Sequence, residues 1–317
     1  MDGSVRHRIA VLLGGRSAER EVSLNTGRQV VSALEERGHE VVAVDTGESG
    51  FIESLRAAAP EVVFICLHGR FGEDGTVQGL LELLDMPYVG SGVLASALAM
   101  NKVMSKKLFA MEGLPTPADL VLRRGEPVDY AAITEALGPR TVVKPSGEGS
   151  SVGMAIVHDP SELSAAIANA FEHDALVLVE RFEAGIEVTV GVIGNRDPMA
   201  LPTLEIVPEN EFYDYESKYV LGMSTHIIPA RVSDEARATC QSIAVAAHVA
   251  LGCAGMSRSD TIVTPDGHIL LLETNTIPGM TATSLLPDAA AAAGITFPDL
   301  CERLVGLALD DWQDRRG

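Results

Sequence analysis

The sequence predicts an α/β fold that opens with a parallel sheet, and three observations carry that prediction. Apolar runs of strand length alternate with helix-like stretches over residues 8–90. That βαβαβ order needs crossover connections and hence parallel strands. The 317 residues are 46% hydrophobic and only 4% aromatic, an Ala-, Leu- and Val-rich composition of a length suggesting two or three domains. Glycine-rich segments follow the first and third apolar runs, where strands of such a sheet meet ligands at their C-terminal ends.

The elements follow in order. A strand at 9–14 (IAVLLG) precedes a helix at 23–37, a strand at 40–45 precedes a helix at 51–59, and a strand at 61–68 precedes a helix at 76–85. The ligand edge then comprises Gly14 to Glu19 and His68 to Gly75; the first segment, GGRSAE, is not GxGxxG. A helix is expected over 92–111, and Pro115 and Pro117 mark a boundary. The middle section has a strand at 141–145, a loop at 146–153, a strand at 154–157, a helix at 161–171 and a strand at 175–182. Strands at 187–194 and 200–207 come next, then a polar, Tyr-containing segment over 208–225. Ser233 is a good N-cap for a helix at 233–251. The Ala run at 289–293 reads as helix, and a last helix covers about 297–309.

Charge and cysteine usage limit the function classes. The net charge is −20, from 24 Lys and Arg against 44 Asp and Glu. This argues against a nucleic-acid backbone or an anionic membrane as main partner. The run IAVLLGG is too short to span a bilayer and no cleavage-type segment follows, so the cytoplasm is the expected compartment. Cys66, Cys240, Cys253 and Cys301 are scattered without a CxxC, which predicts reduced, buried thiols.

The chemistry concentrates near the C-terminus. SRSDTIV (257–263), the turn signal PDG (265–267) and LLETNTIPGMT (271–281) read as a β-hairpin. With a four-residue loop, Asp260 pairs opposite Glu273 and Arg258 opposite Asn275, gathering two carboxylates, an amide and a guanidinium on one face. Two readings fit that face: a site for hard cations such as Mg²⁺, or a polar surface bathed in water. PSGEGSSVG (145–153) can lay backbone N–H groups against phosphates, although it lacks the P-loop pattern; a flexible hairpin loop is the plain alternative. Lys144, just before it, tilts the reading towards phosphate. Lys102, Glu180, Glu187, His68 and Glu19 each have an ordinary reading as solvated or structural groups. FYDYESKY (212–219) lies in a loop long enough to be a lid.

Taken together and in this order, GGRSAEREVSL, HGRFGEDGTVQGLLE, VVKPSGEGSSVG, FYDYESKY and LLETNTIPGMTATSLLP resemble the D-alanine–D-alanine ligase family, over about residues 8–308. The resemblance implies an ATP-grasp fold with an N-terminal parallel-sheet, Rossmann-like domain. The parts are an N-terminal substrate-binding domain over 1–100, a central small domain over 101–184 and a C-terminal domain over 185–317 carrying the lid at 208–225. It implies ATP-dependent joining of two D-alanine molecules through an acyl phosphate, for peptidoglycan precursors, by a homodimer. Asp260, Glu273 and Asn275 would hold two Mg²⁺ (or Mn²⁺), and a monovalent cation is a further expectation. Lys102, Lys144, Glu148, Gly149, Ser151, Glu180, Glu187 and Lys218 would bind ATP. Glu19, Ser150 and Tyr219 would form a network at the first D-alanine, with His68 beside it. Arg258 and the Gly279 N–H would stabilise the oxyanion, and Ser284 and Leu285 would contact the second D-alanine.

Two positions depart from the family pattern: Asn101 stands where Asp commonly precedes the ATP lysine, and SRSDTIV replaces ARVDF-like sequences. Within the family, ligases making D-Ala-D-lactate or D-Ala-D-Ser are the runner-up; Tyr219 favours D-alanine, because lactate-type enzymes commonly differ there. A non-catalytic nucleotide-binding protein of the same fold is the alternative from another class.

Overall fold

Three sheets organise the residues that the computed structural model describes: 5–149, 152–208, 224–282 and 284–316. The first is parallel. Its strands β1 (Arg8–Leu13), β2 (Glu40–Asp45), β3 (Val62–Ile65) and β4 (Tyr88–Val89) lie in the order β2-β1-β3-β4. β1 and β3 read as unbroken apolar runs because helices cover both faces. α1 (Arg20–Glu36) packs Val30 and Leu34 against Ile9, Val11 and Phe64. α2 (Phe51–Ala58) and α3 (Thr76–Leu83) pack Leu55, Val77 and Leu81 against Ala10, Leu12 and Ile65 on the other face. The order reverses between β1 and β3, so their C-terminal ends flank a crevice.

The helix expected over 92–111 is two helices, α4 (Val93–Met100) and α5 (Lys102–Met111). The break is at Asn101, whose extended backbone lets its side chain accept from the Met104 N–H at 3.0 Å and cap α5. Asn caps as well as Asp, so the departure at this position keeps the helix start.

The second sheet, antiparallel, has the order β5-β8-β6-β7, from β5 (Asp119–Arg123), β6 (Thr141–Pro145), β7 (Ala155–Val157) and β8 (Leu176–Arg181). Val143, Val177 and Val179 face α6 (Tyr130–Leu137) and α7 (Leu163–His173) in one apolar cluster. The opposite face carries Asp119, Lys144 and Glu180 among Val142 and Leu178. β5 and α6 were not anticipated: β5 is a half-exposed edge strand bounded by Asp119 and Arg123, and α6 is only eight residues long, capped by Asp129.

The third sheet holds β9 (Ile186–Ile193), β10 (Met199–Ala200), β11 (Leu204–Pro208), β12 (Ser224–Ile227), β13 (Met256–Val263) and β14 (Ile269–Asn275), in the order β12-β11-β9-β13-β14 with β10 on β9. The strand expected over 200–207 is thus divided between β10 and β11. α8 (Asp234–Leu251), capped by Ser233, covers one face: Cys240, Ala244 and Ala247 meet Val188, Val190 and Leu271. α9 (Leu285–Ala292) lies on the opposite face, where Leu286 sits so close to β9 that a Cβ on Gly191 would be 2.5 Å from it. α10 (Phe297–Arg316) returns to the first sheet, placing Leu300, Leu304 and Val305 in the cluster of Ile9 and Phe64. All four cysteines are free and buried. Among the described residues no helix is long and apolar enough to cross a membrane.

The SRSDTIV departure is absorbed by hydrogen bonds. Ser257, Ser259 and Thr261 occupy the inward positions of β13. Ser257 Oγ meets His248 Nδ1 at 2.7 Å, Ser259 Oγ meets Thr274 Oγ1 at 2.8 Å, and Thr261 Oγ1 donates to the Val188 carbonyl at 2.7 Å. Burial holds the His248 imidazole down at about 4, against an ordinary value near 6.5. Between these values the unfolded chain binds the proton that the folded chain refuses, so stability rises with pH across that window. Urea unfolding should therefore show on the order of 3 kcal/mol lost from His248 as pH falls from 6.5 to 4. A His248→Gln variant should show a flatter pH dependence; an unchanged slope would remove His248 from the account.

Candidate active site

Three strands of the third sheet build one polar face. Glu187 and Thr189 on β9 stand opposite Ile262 and Asp260 on β13, and Arg258 and Asp260 stand opposite Asn275 and Glu273 on β14. The site pairings are those expected from the sequence, but the hairpin reaches them differently. Its loop has five residues, 264–268, rather than four, and an irregularity next to Asp260 leaves Leu272 as an extra residue on β14. This bulge changes which face the strand shows. Leu271 is paired with Thr261 and buried against α8, whereas Glu273, two residues on, is paired with Asp260 on the opposite face. A regular strand would put Leu271 and Glu273 on the same side.

The charges of that face are already engaged. Arg258 grips Asp260 with two bonds, Nε to Oδ1 at 3.0 Å and Nη2 to Oδ2 at 2.8 Å, and Thr189 Oγ1 donates to Asp260 Oδ1 at 2.5 Å. Lys102 Nζ, at the start of α5, lies 3.5 Å from Glu273 Oε2 and donates to the Glu148 carbonyl at 2.8 Å. Asn275 Oδ1 accepts from the Ile277 N–H at 2.8 Å.

The second sheet and helix α5 supply the matching cations, Lys144 and Lys106. Asp119 and Glu180 are directly paired across β5 and β8. Glu180, 2% exposed, receives Lys106 Nζ at 2.5 Å on one oxygen and Lys144 Nζ at 2.6 Å on the other. Lys106 also reaches Asp119 at 3.1 Å and the Pro117 carbonyl at 2.8 Å. Burial pushes the Glu180 carboxyl up, but Lys144 and Lys106 outweigh it and hold it below the usual range. Burial likewise disfavours the Lys144 ammonium, and Glu180, Glu273 and Glu187 more than offset that. Lys106 was not singled out from sequence. It lies one turn beyond Lys102 on α5, so the i, i+4 spacing was the available signal.

The N-terminal ligand edge brings Glu19 and His68 together. Glu19 is 7% exposed, and a Cβ on Gly69 would lie 2.6 Å from its Oε2. Ser17 Oγ donates to the His68 carbonyl at 2.8 Å and accepts from the Glu19 N–H at 3.2 Å. His68 is held by Glu73 at 3.2 Å and Thr26 at 3.4 Å. Burial pushes the Glu73 carboxyl up, His68 draws it down, and the charge of Glu19 adds to the rise. Glu73 was overlooked within a quoted motif. A Cβ on Gly149 would lie 3.7 Å from Glu19 Oε2, so the loop after β6 approaches both Lys102 and Glu19.

Gly279 and Ser284 form the remaining corner. A Cβ on Gly279 would stand 3.0 Å from Ser284 Oγ, which also meets Thr281 Oγ1 at 2.7 Å. The Leu285 side chain is in the apolar cluster with Leu204 and Ile206. Ser150, Ser151, Lys218 and Tyr219, with residues 209–223 of the expected lid, lie outside the described residues.

A sheet surface bearing Lys144 and Glu180 beside the lysines of α5, and a second bearing Asp260, Glu273 and Asn275, joined to a Rossmann-like layer, define an ATP-grasp carboxylate–amine ligase. The comparisons agree. Residues 108–306 match the model of the D-ala D-ala ligase C-terminus and 51–91 that of the N-terminus. A D-alanine–D-alanine ligase of Pelotomaculum thermopropionicum is 47% identical over 315 residues, covering 98% of this chain and 99% of its own. One of Geobacter sulfurreducens is 52% identical over 299 residues, covering 94% and 93%. The structure of the Bacillus anthracis ligase complexed with ATP superposes with a TM-score of 0.85 at 33% identity, covering 98% and 99%. The chain belongs to the D-alanine–D-alanine ligase family.

Two stability measurements check this geometry. Leu271→Ala should cost about 2–5 kcal/mol, as a buried leucine does, and Leu272→Ala clearly less. The reverse order would mean a regular hairpin without the bulge. Glu180→Ala should cost about 3–5 kcal/mol by leaving two buried ammonium groups without it. Lys106→Met, which leaves Glu180 paired with Lys144, should cost about 1–3 kcal/mol. Equal losses in urea denaturation would count against the network.

Proposed function

We infer that the chain joins two D-alanine molecules at the expense of ATP, and that the three polar surfaces divide the work. The observation that carries this reading is the face where Asp260, Glu273 and Asn275 meet Lys102 and Lys144, beside the Glu19–His68 edge. A carboxylate oxygen of the first D-alanine attacks the γ-phosphorus, ADP leaves, and the amine of the second attacks the acyl carbon and expels phosphate. Phosphoryl transfer needs positioning and charge neutralisation more than covalent help. Lys102 and Lys144 would neutralise phosphate oxygens, with Glu148 and Gly149 of the loop close above. Glu180 and Glu187 would serve the adenosine.

The donor set suits Mg²⁺, which takes carboxylate oxygens and leaves positions for phosphate. Asp260 and Glu273 are paired, and Asn275 Oδ1 retains a second lone pair beside its bond to Ile277. Bound there, Mg²⁺ would offset the negative charge of the phosphates. Arg258 would pass from Asp260 to the oxyanion, joined by the Gly279 N–H. The buried carboxylates Glu19 and Glu73 repel each other, so the ammonium of the first D-alanine would relieve both. A homodimer in the cytoplasm supplying peptidoglycan synthesis is the setting this activity suits.

Phosphate release with ATP and Mg²⁺ tests the reading. D-alanine should support it and yield the dipeptide by mass; L-alanine should not, and added D-lactate should not enter the product. Glu273→Gln should lose ATP turnover. Full turnover in that variant would refute the metal role, and no D-alanine-dependent phosphate in the parent would refute the ligase reading.

A further inference from the structure

We propose that His226 and Asp288 form a positioning pair for the acceptor amino acid, an inference that rests on the ligase reading above. His226 Nδ1 lies 2.6 Å from Asp288 Oδ2, and the two side chains are 18% and 29% exposed. His226 is on β12, opposite Ile206. Cross-strand partners share a face, and Ile206 packs against Leu285 at the start of α9. The pair therefore crosses from the third sheet to the first turn of the helix that begins at Ser284.

The connection to the reacting centre is short. The Asp288 N–H donates to the Ser284 carbonyl at 2.9 Å, and Ser284 Oγ sits 3.0 Å from where a Gly279 Cβ would be. A displacement of the first turn of α9 thus moves Ser284 against Gly279, where the acceptor amine must line up with the acyl carbon. Small misplacements of such a group weaken a reaction strongly. Apolar packing of Leu204, Ile206 and Leu285 already holds the helix to the sheet, but such contacts are not directional. A short hydrogen bond is directional, and it fixes how the turn sits. A carboxylate accepts, so His226 donates from Nδ1 in this bond.

Hydroxylamine separates the two half-reactions. It intercepts the acyl phosphate, its nitrogen forming the bond to the acyl carbon as phosphate leaves, and needs no ordered acceptor site. His226→Ala and Asp288→Ala should each raise the KM for the acceptor in dipeptide formation about tenfold, with hydroxamate formation unchanged. Asp288→Asn, which keeps an oxygen acceptor, should bring the acceptor KM back close to the parent value. An unchanged acceptor KM, or an equal loss of dipeptide and hydroxamate, would overturn the proposal. A parent chain that forms neither product would sink the ligase reading instead.

Discussion

The middle of the molecule is arranged around one constraint: the carboxylate of Glu180 is buried and cannot be buried alone. Taking an ionised group out of water costs several kcal/mol unless partners replace the solvent. Lys106 and Lys144 do so, one on each oxygen. Each lysine is in turn committed to another element, Lys106 to Asp119 and Pro117, and Lys144 to the field of Glu273 and Glu187. Helix α5, the second sheet and the third sheet are thereby held in register by charge, at a place where apolar packing would leave no room for a polar ligand. A chain with net charge −20 can in this way keep a local concentration of ammonium groups for a polyanion.

The bulge at Leu272 solves a second problem. β14 must give Ile269 and Leu271 to the α8 core and Glu273 and Asn275 to the site, and all four are odd-numbered. Strict alternation would turn either the leucine outward or the glutamate inward. One extra residue turns the strand over between the two tasks, at the point where Asp260 begins the polar pairing. Gly191 meets a related demand on β9: without a side chain there, Leu286 packs onto the strand and keeps α9 next to Arg258.

How far the sequence could be read follows from these same features. The first sheet was legible because its strands are apolar on both faces and its helices amphipathic, and the Asp260–Glu273 pairing was anticipated. The route to that pairing was not. A four-residue loop without a bulge and a five-residue loop with one align the same site residues, and periodicity alone does not separate them. Edge strand β5 and short helix α6 were missed because five and eight residues are too few to establish a period. Lys106 and Glu73 were missed because their importance is tertiary. Lys106 looks like its neighbour Lys107 until the fold buries it to 5% exposure, and Glu73 acquires its character from burial first, then from His68 and from Glu19, which is far away in sequence.

The same division explains why the three polar surfaces can meet at all. Each sheet has an apolar face satisfied by its own helices: α6 and α7 on the second, α8 on the third. Helices α4 and α5 also pack Ala95 and Phe109 into the third sheet's apolar cluster. Between the polar groups lie paired charges as well, Lys102 beside Glu273 and Lys144 in the field of Glu180, Glu273 and Glu187. Such contacts are weak wherever water reaches them, so they can open, and they strengthen as water is excluded. A ligand carrying phosphates on one side and an ammonium on another would meet the lysines with the one and Glu19 with the other. Closure over the substrates is then favoured by the groups that act on them.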